Sequence, residues 1–183
     1  MIADMNYNSS WKENIITRNL VKYIKNNNSN KSKYKIDIVR EFPLDDYQEE
    51  EIDADETPRI DFRFSKWKSE NFYEYFIEEK NLCEKDWIKE NGSNVSSSKL
   101  LNRYINTGIE HFFTNYYPLD GCLCGYIMQG DLENIISKLN FILEKKSYNQ
   151  LLLNNKSINN YNQIYTIKKD NYSLLNIFFY FNK

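Results

Sequence analysis

Two neighbouring segments, Pro58-Arg59-Ile60-Asp61-Phe62-Arg63-Phe64 and Phe76-Ile77-Glu78-Glu79-Lys80-Asn81-Leu82, carry most of the information in this chain. In the first, Ile60, Phe62 and Phe64 alternate with Asp61 and Arg63, the period-two pattern of a strand from Pro58 to Trp67. The second belongs to a strand from Phe72 to Leu82. The short polar link Lys68-Ser69-Glu70-Asn71 predicts that the two form a hairpin. Glu78 and Lys80 are two residues apart and share one face of their strand. Paired strands lie about 4.8 Å apart. Asp61, Glu78 and Lys80 are therefore expected to converge on one small volume.

Burying two carboxylates beside one ammonium is costly. A divalent cation between Asp61 and Glu78 removes that cost. It also polarises a bound phosphate. Mg²⁺ fits such a donor set because it keeps several waters and takes only one or two protein carboxylates, and Mn²⁺ is expected to substitute. Lys80 then activates the attacking water or stabilises charge on the phosphate. Strand alternation favours Glu78 over Glu79 as the residue facing the metal. The plainer alternative is a surface hairpin with a solvated Glu-Glu-Lys.

Outward from the hairpin, Ser10-Trp11-Lys12-Glu13 has the capping-box pattern. Helical spacing of Trp11, Ile15, Ile16, Leu20, Tyr23 and Ile24 predicts a first helix over about 11–26. Tyr34 to Phe42 reads as a strand, stopped by Pro43. Residues 44–56 are strongly acidic, as a solvated loop or a nucleic-acid mimic. Residues 83–98 read as a polar connection ending in a helix entry at Ser96-Ser97-Ser98. A second helix follows over about 98–114, with Leu101, Tyr104, Ile105, Ile109 and Phe112 as its apolar stripe. Cys122 to Met128 is a continuous apolar strand, the mark of burial on both faces. Gly130-Asp131 opens a third helix. Residues 147–160 are Asn-rich and loop-like. Ile164–Ile167 and Leu174–Phe181 close the chain as a strand pair, with Ile177 to Phe181 as either core or an interface. The sum is an α/β (α+β) domain, one central mixed sheet flanked by helices on both faces.

With 183 residues, 41% hydrophobic and 27% charged, the chain suits a single domain with a real core. Aromatic residues reach 16%, including 15 Tyr and 11 Phe, which implies a large core or a sticky face. The net charge of -2 is not that of a protein coating nucleic acid nonspecifically. No signal segment and no apolar run of about 18 residues is present, which predicts a cytoplasmic, non-membrane protein. The three cysteines make no disulfide framework, and Cys122 and Cys124 read as small residues of a buried strand. The single histidine, His111, reads as a surface helix residue. Its isolation excludes Ser-His-Asp triads, HNH-type sites and zinc hydrolases. Hydrolytic chemistry is left to carboxylates and lysine.

Pro58-Arg59-Ile60-Asp61 followed by Ile77-Glu78-Glu79-Lys80 resembles the PD-(D/E)XK motif of the restriction-endonuclease-like nucleases. The order of helix, three strands, helix and strand also resembles that family's αβββαβ core. The resemblance implies a domain over 1–183, with its core over about 11–146 and a C-terminal strand pair over about 161–182. It implies Asp61, Glu78 and Lys80 as catalytic residues, and Asp61, Glu78 and the Glu79 main-chain carbonyl as metal ligands. Glu13 matches the acidic residue that often joins from the family's first helix, although a helix cap explains it equally. Arg103-Tyr104-Ile105-Asn106-Thr107-Gly108-Ile109 and Gly121-Cys122-Leu123-Cys124-Gly125-Tyr126 are similar to segments of small bacterial members linked to restriction or phage defence.

The implied activity is Mg²⁺-dependent hydrolysis of DNA phosphodiesters, with RNA not excluded. Arg63, Lys99 and Arg103 are placed to hold phosphates, or, as bland alternatives, to pair with an acid or form a solvated helix face. The chain has no separate module for reading sequence, so target choice falls to loops, a homodimer or a partner subunit. The competing expectation is a catalytically silent module of the same fold that binds or regulates within a larger complex.

Overall fold

The computed structural model describes residues 13–26, 36–44, 57–89, 91–156 and 163–180. In chain order the elements are α1 (Glu13–Asn26), β1 (Asp37–Pro43), β2 (Arg59–Lys68), β3 (Asn71–Cys83), β4 (Trp87–Ile88) and β5 (Asn94–Val95). Helix α2 follows: it begins as Ser97–Tyr104 and runs through a π-helical stretch, Ile105–Ile109, into Glu110–Phe113. Then come β6 (Gly121–Gln129), α3 (Leu132–Lys145), β7 (Asn154–Asn155), β8 (Ile164–Lys169) and β9 (Tyr172–Tyr180).

Seven strands form one mixed sheet in the order β1-β2-β3-β6-β9-β8-β7. The β1–β2 and β2–β3 pairs are antiparallel, β3–β6 and β6–β9 are parallel, and β8 pairs antiparallel with both β9 and β7. The parallel β3–β6 pair requires a crossover, which α2 supplies. Helix α1 packs on one face, where Val21 meets Ile38 and Phe62. Helices α2 and α3 cover the other face with the main core, including Tyr104, Ile109, Phe112, Leu123, Ile135 and Leu139. The mixed sheet with helices on both faces is the architecture expected from the pattern.

Local chemistry accounts for the helix starts. The Ser96 side chain accepts from the Lys99 N–H at the head of α2. Asp131 accepts from the N–H groups of Glu133 and Asn134 at the head of α3. Each satisfies donors that the first helical turn leaves unpaired. The expected hairpin forms, and its turn is tighter than the four-residue link read from the sequence: Lys68 lies opposite Asn71, and Ser69 is in the left-handed region at φ 56°. Strand β6 is buried along almost its whole length, as its unbroken apolar run predicts. Cys83, Cys122 and Cys124 are free and buried.

Of the two readings of Ile177 to Phe181, core packing holds for the residues described: β9 lies between β6 and β8, and Phe178 is fully buried. Phe181 lies outside the described residues. Two expectations need correction. The polar connection over 83–98 contains a small hairpin of its own, β4 with β5. Its strands are too short to show a period. The second correction concerns β2. Ile60 joins the α2-side core with Leu44 and Phe76, whereas Phe62 and Phe64 join the α1-side cluster. Strict alternation fails between Ile60 and Phe62, although the β1–β2 register runs on unshifted past Glu41, which sits at φ 49°. The acidic run 45–56 lies outside the described residues. Its flanks are tied together by a 2.9 Å hydrogen bond from the Leu44 N–H to the Pro58 carbonyl.

Gly125 stands opposite Lys80 in the β3–β6 ladder. A Cβ there would lie 2.4 Å from Phe178 Cδ1 and 2.9 Å from Leu82 Cδ1. Gly125→Val is therefore expected to overpack the core and lower stability by about 1–3 kcal/mol, read as a lower urea midpoint. An unchanged midpoint would show that this core yields freely.

Candidate functional site

The β2–β3 ladder runs from Lys68 opposite Asn71 to Phe62 opposite Ile77 and stops there. Asp61 is the next residue, and side chains replace the ladder at this point. The Glu79 N–H donates to Asp61 Oδ2 at 2.6 Å, and the Asp61 N–H points at Glu78 Oε2 at 3.4 Å. Strand β3 meanwhile stays paired with β6 through Glu78, Glu79 and Lys80. The sheet thus opens on its β2 side where the acidic residues sit.

Glu78 and Lys80 lie on the α2 side of β3, as the period of two requires, between the core residues Phe76 and Leu82. They are 5% and 2% exposed. The Lys80 ammonium is ion-paired with Glu78 Oε1 and also donates to the Glu79 carbonyl at 3.1 Å. Burial pushes the Asp61 carboxyl above its ordinary range. The Lys80 ammonium, the Glu79 N–H, Glu78 and the Arg103 guanidinium pull it the other way. Asp61, Glu78 and Lys80 therefore converge as the hairpin pattern implied.

Glu79 contributes main-chain groups to this cluster, and its side chain goes elsewhere. It is fully buried on the α1 face, where Thr17 of α1 donates to its carboxylate. The sequence offered no reason for a buried carboxylate on that face. Glu13 opens α1 one turn before Thr17, and its side chain lies outside the described residues.

The remaining cations are spread out. Arg63 is taken up by Glu74 at 3.0 Å and lies over the Phe42 ring at 4.0 Å. Arg103 is exposed on α2 yet close enough to Asp61 to influence its proton. Lys99 is exposed one turn earlier on the same helix. The Tyr104 hydroxyl donates to the buried Asn176 at 2.9 Å and so is directed to β9.

Two residues near the cluster escaped the sequence reading. Tyr117 is buried, close enough to Glu78 and Asp61 for both carboxylates to act on its hydroxyl. Burial first, then Glu78 and Asp61, push its hydroxyl far up, so it stays protonated. The chain reverses after α2 through Asn115 at φ 61°, and the Tyr117 N–H returns to the His111 carbonyl at 3.0 Å. The reversal also lays Tyr116 and Tyr117 against the His111 ring, with centroids 4.1 and 5.1 Å away. His111 is thus half-buried rather than a surface residue. No local periodicity announces such a fold-back.

Burial, then the nearby Lys80 charge, push the His111 imidazole below its ordinary range, with Glu110 opposing them. The unfolded chain takes up this proton near pH 6.5, before the folded protein does. Stability is therefore expected to fall as the pH drops below about 6.5, levelling off at the lowered folded value. His111→Gln should flatten that slope in unfolding curves measured between pH 7 and 5. An unchanged slope would assign it to other groups.

Among the described residues no group of three or more His, Cys, Asp and Glu side chains is arranged to hold a metal ion. The cluster offers two carboxylates and one main-chain carbonyl, an all-oxygen set of the hard kind that Mg²⁺ accepts. Two of those oxygens, Glu78 Oε1 and the Glu79 carbonyl, are already bridged by a cation, the Lys80 ammonium. The donors fit a divalent ion in chemistry, with the Lys80 ammonium already offsetting part of their charge. Surface cavities of about 440 Å³ elsewhere, one beside Lys138 and Ser97 and one beside Asp120 and Lys169, contain none of these residues. Among the described residues no helix is long and apolar enough to cross a membrane. No protein-family model, curated protein or solved structure matches the chain.

Proposed function

We propose that this chain is a metal-dependent nuclease of the PD-(D/E)XK type, hydrolysing phosphodiester bonds of DNA. The observation that carries the reading is the convergence of Asp61, Glu78 and Lys80 where the β2–β3 ladder opens. The order α1-β1-β2-β3-α2-β6 supports a restriction-endonuclease-like core. Two carboxylates set against one buried ammonium leave an excess of negative charge that a divalent cation offsets. Mg²⁺, with Mn²⁺ as substitute, would be held by Asp61, Glu78 and the Glu79 carbonyl. When bound it supplies Lewis-acid polarisation of a phosphate oxygen.

The chain's own groups divide the remaining work. The Glu79 N–H fixes the Asp61 carboxylate, and the buried Tyr117 beside Glu78 and Asp61 keeps its proton and adds no charge. Lys80 places a positive charge where a phosphate and its attacking water would meet, stabilising charge that develops there. Arg103, exposed beside Asp61, receives a neighbouring phosphate, with Lys99 one turn away on the same helix. A role in restriction or phage defence in the cytoplasm follows from the motif resemblance, as does a homodimer or partner subunit for target choice. A second reading, a catalytically silent module of the same fold, is favoured by the burial of Lys80 and Glu78 against each other.

Calorimetric titration with Mn²⁺ and incubation of supercoiled plasmid with Mg²⁺ or Mn²⁺ separate the two. The nuclease reading expects saturable Mn²⁺ binding and nicked or linear plasmid. Binding without cleavage of DNA or RNA selects the silent module, and no metal binding at all removes the metal site.

A further inference from the structure

The β2–β3 hairpin is longer than either neighbour. Pairing with β1 ends at Asp37 opposite Ser65, and pairing with β6 begins at Phe76 opposite Gly121. Among the described residues, 66–74 therefore extend as a two-stranded ribbon with no further strand beside them. Its tip is aromatic where a solvated turn is ordinarily polar. Trp67 is 64% exposed, Phe72 44% and Tyr73 54%. Trp67 and Phe72 are cross-strand partners with ring centroids 4.9 Å apart. Ring pairs of this kind gain from burial, so leaving this one in water points to a ligand.

The charge at the tip favours one occupant. Lys66 and Lys68 flank Trp67, and within residues 66–73 the only acid is Glu70. Glu74, next along β3, is held by Arg63. Exposed flat rings interleaved with lysines match a strand of bases and phosphates, because every base presents a π-face and every nucleotide an anion. Arg63, Ser65 and Trp67 succeed one another along one side of β2, leading away from Asp61. Six residues at about 3.3 Å each put the aromatic pair about 20 Å from Asp61.

We propose that the hairpin tip is a stacking platform for unpaired bases of a nucleic-acid strand, with Trp67 and Phe72 as the stacking pair and Lys66 and Lys68 as its phosphate contacts. The inference rests on the nuclease reading for its account of the strand's path, since the same strand presents a phosphate near Asp61. It narrows the substrate class to nucleic acid carrying an unpaired segment beside the cleavage point.

The test is fluorescence-anisotropy titration of an end-labelled single-stranded DNA oligonucleotide in EDTA, where no cleavage occurs. The proteins are wild type, Trp67→Ala/Phe72→Ala and Lys66→Ala/Lys68→Ala. Because the tip projects from the core, thermal melts should confirm that its variants fold. The aromatic double variant is expected to bind roughly ten-fold to a hundred-fold more weakly. The lysine variant should show a shallower salt dependence. Wild-type affinity in the aromatic variant overturns the inference and leaves the metal site standing. So does an oligomer that the variant converts to monomer with its oligonucleotide binding intact, which gives the tip to a second copy of the chain. Tip-dependent binding without cleavage under any metal sinks the nuclease reading and keeps the platform.

Discussion

Asp61→Ala and Lys80→Ala should each lower Mg²⁺-dependent plasmid cleavage by at least about 10²-fold, and they should part company in metal binding. Asp61 is one of two carboxylates in the cluster and is held in place by the Glu79 N–H. Its loss removes one of the proposed ligands, so Mn²⁺ binding should weaken to background. Lys80 contacts two of the proposed ligand oxygens, Glu78 Oε1 and the Glu79 carbonyl. Removing its ammonium deletes a competitor for those oxygens. Lys80→Ala should then bind Mn²⁺ at least as tightly as wild type while losing rate. A tight metal complex that does not cleave would assign Lys80 to the chemistry rather than to assembly of the site. Full cleavage by either variant would falsify the site itself.

The second large effect is on stability without metal. Lys80 and Glu78 are buried against each other, and breaking a buried pair from one side strands a charge. Lys80→Ala in EDTA is expected to lose about 3–5 kcal/mol of unfolding free energy, read as a shift of the urea midpoint. Saturating Mg²⁺ should restore part of the loss, because ligand that binds only the folded state stabilises it. Glu78→Gln/Lys80→Met removes both charges at nearly the same volume and should recover most of the loss. Equal stability of wild type and Lys80→Ala in EDTA would mean that water reaches Glu78 freely, contrary to its burial.

Together the two experiments treat the cluster as a compromise. A buried pair of this kind adds little net stability compared with apolar residues of the same shape. Under the nuclease proposal its use lies in what the groups do once a cation and a phosphate arrive. Tyr117 fits that account. It is buried beside Glu78 and Asp61, and its protonated hydroxyl adds no charge there.

The legible part of this protein was the part governed by local rules. The side-chain period of two in a strand placed Glu78 and Lys80 on one face and sent Glu79 to the other. Ser96 and Asp131 marked their helix starts because a short side-chain acceptor answers the free N–H groups of the first turn. The apolar run of β6 announced a strand covered on both sides. What only the tertiary structure decided depends on segments far apart in the chain. Thr17 meeting Glu79 spans 62 positions, and Tyr104 meeting Asn176 spans 72. The Tyr117 fold-back onto Glu78, the burial of His111 and the seat of β9 between β6 and β8 are of the same kind. A period or a cap is a property of neighbouring residues. Which buried polar group finds which partner is settled only when loops close and packed faces leave each donor few places to go.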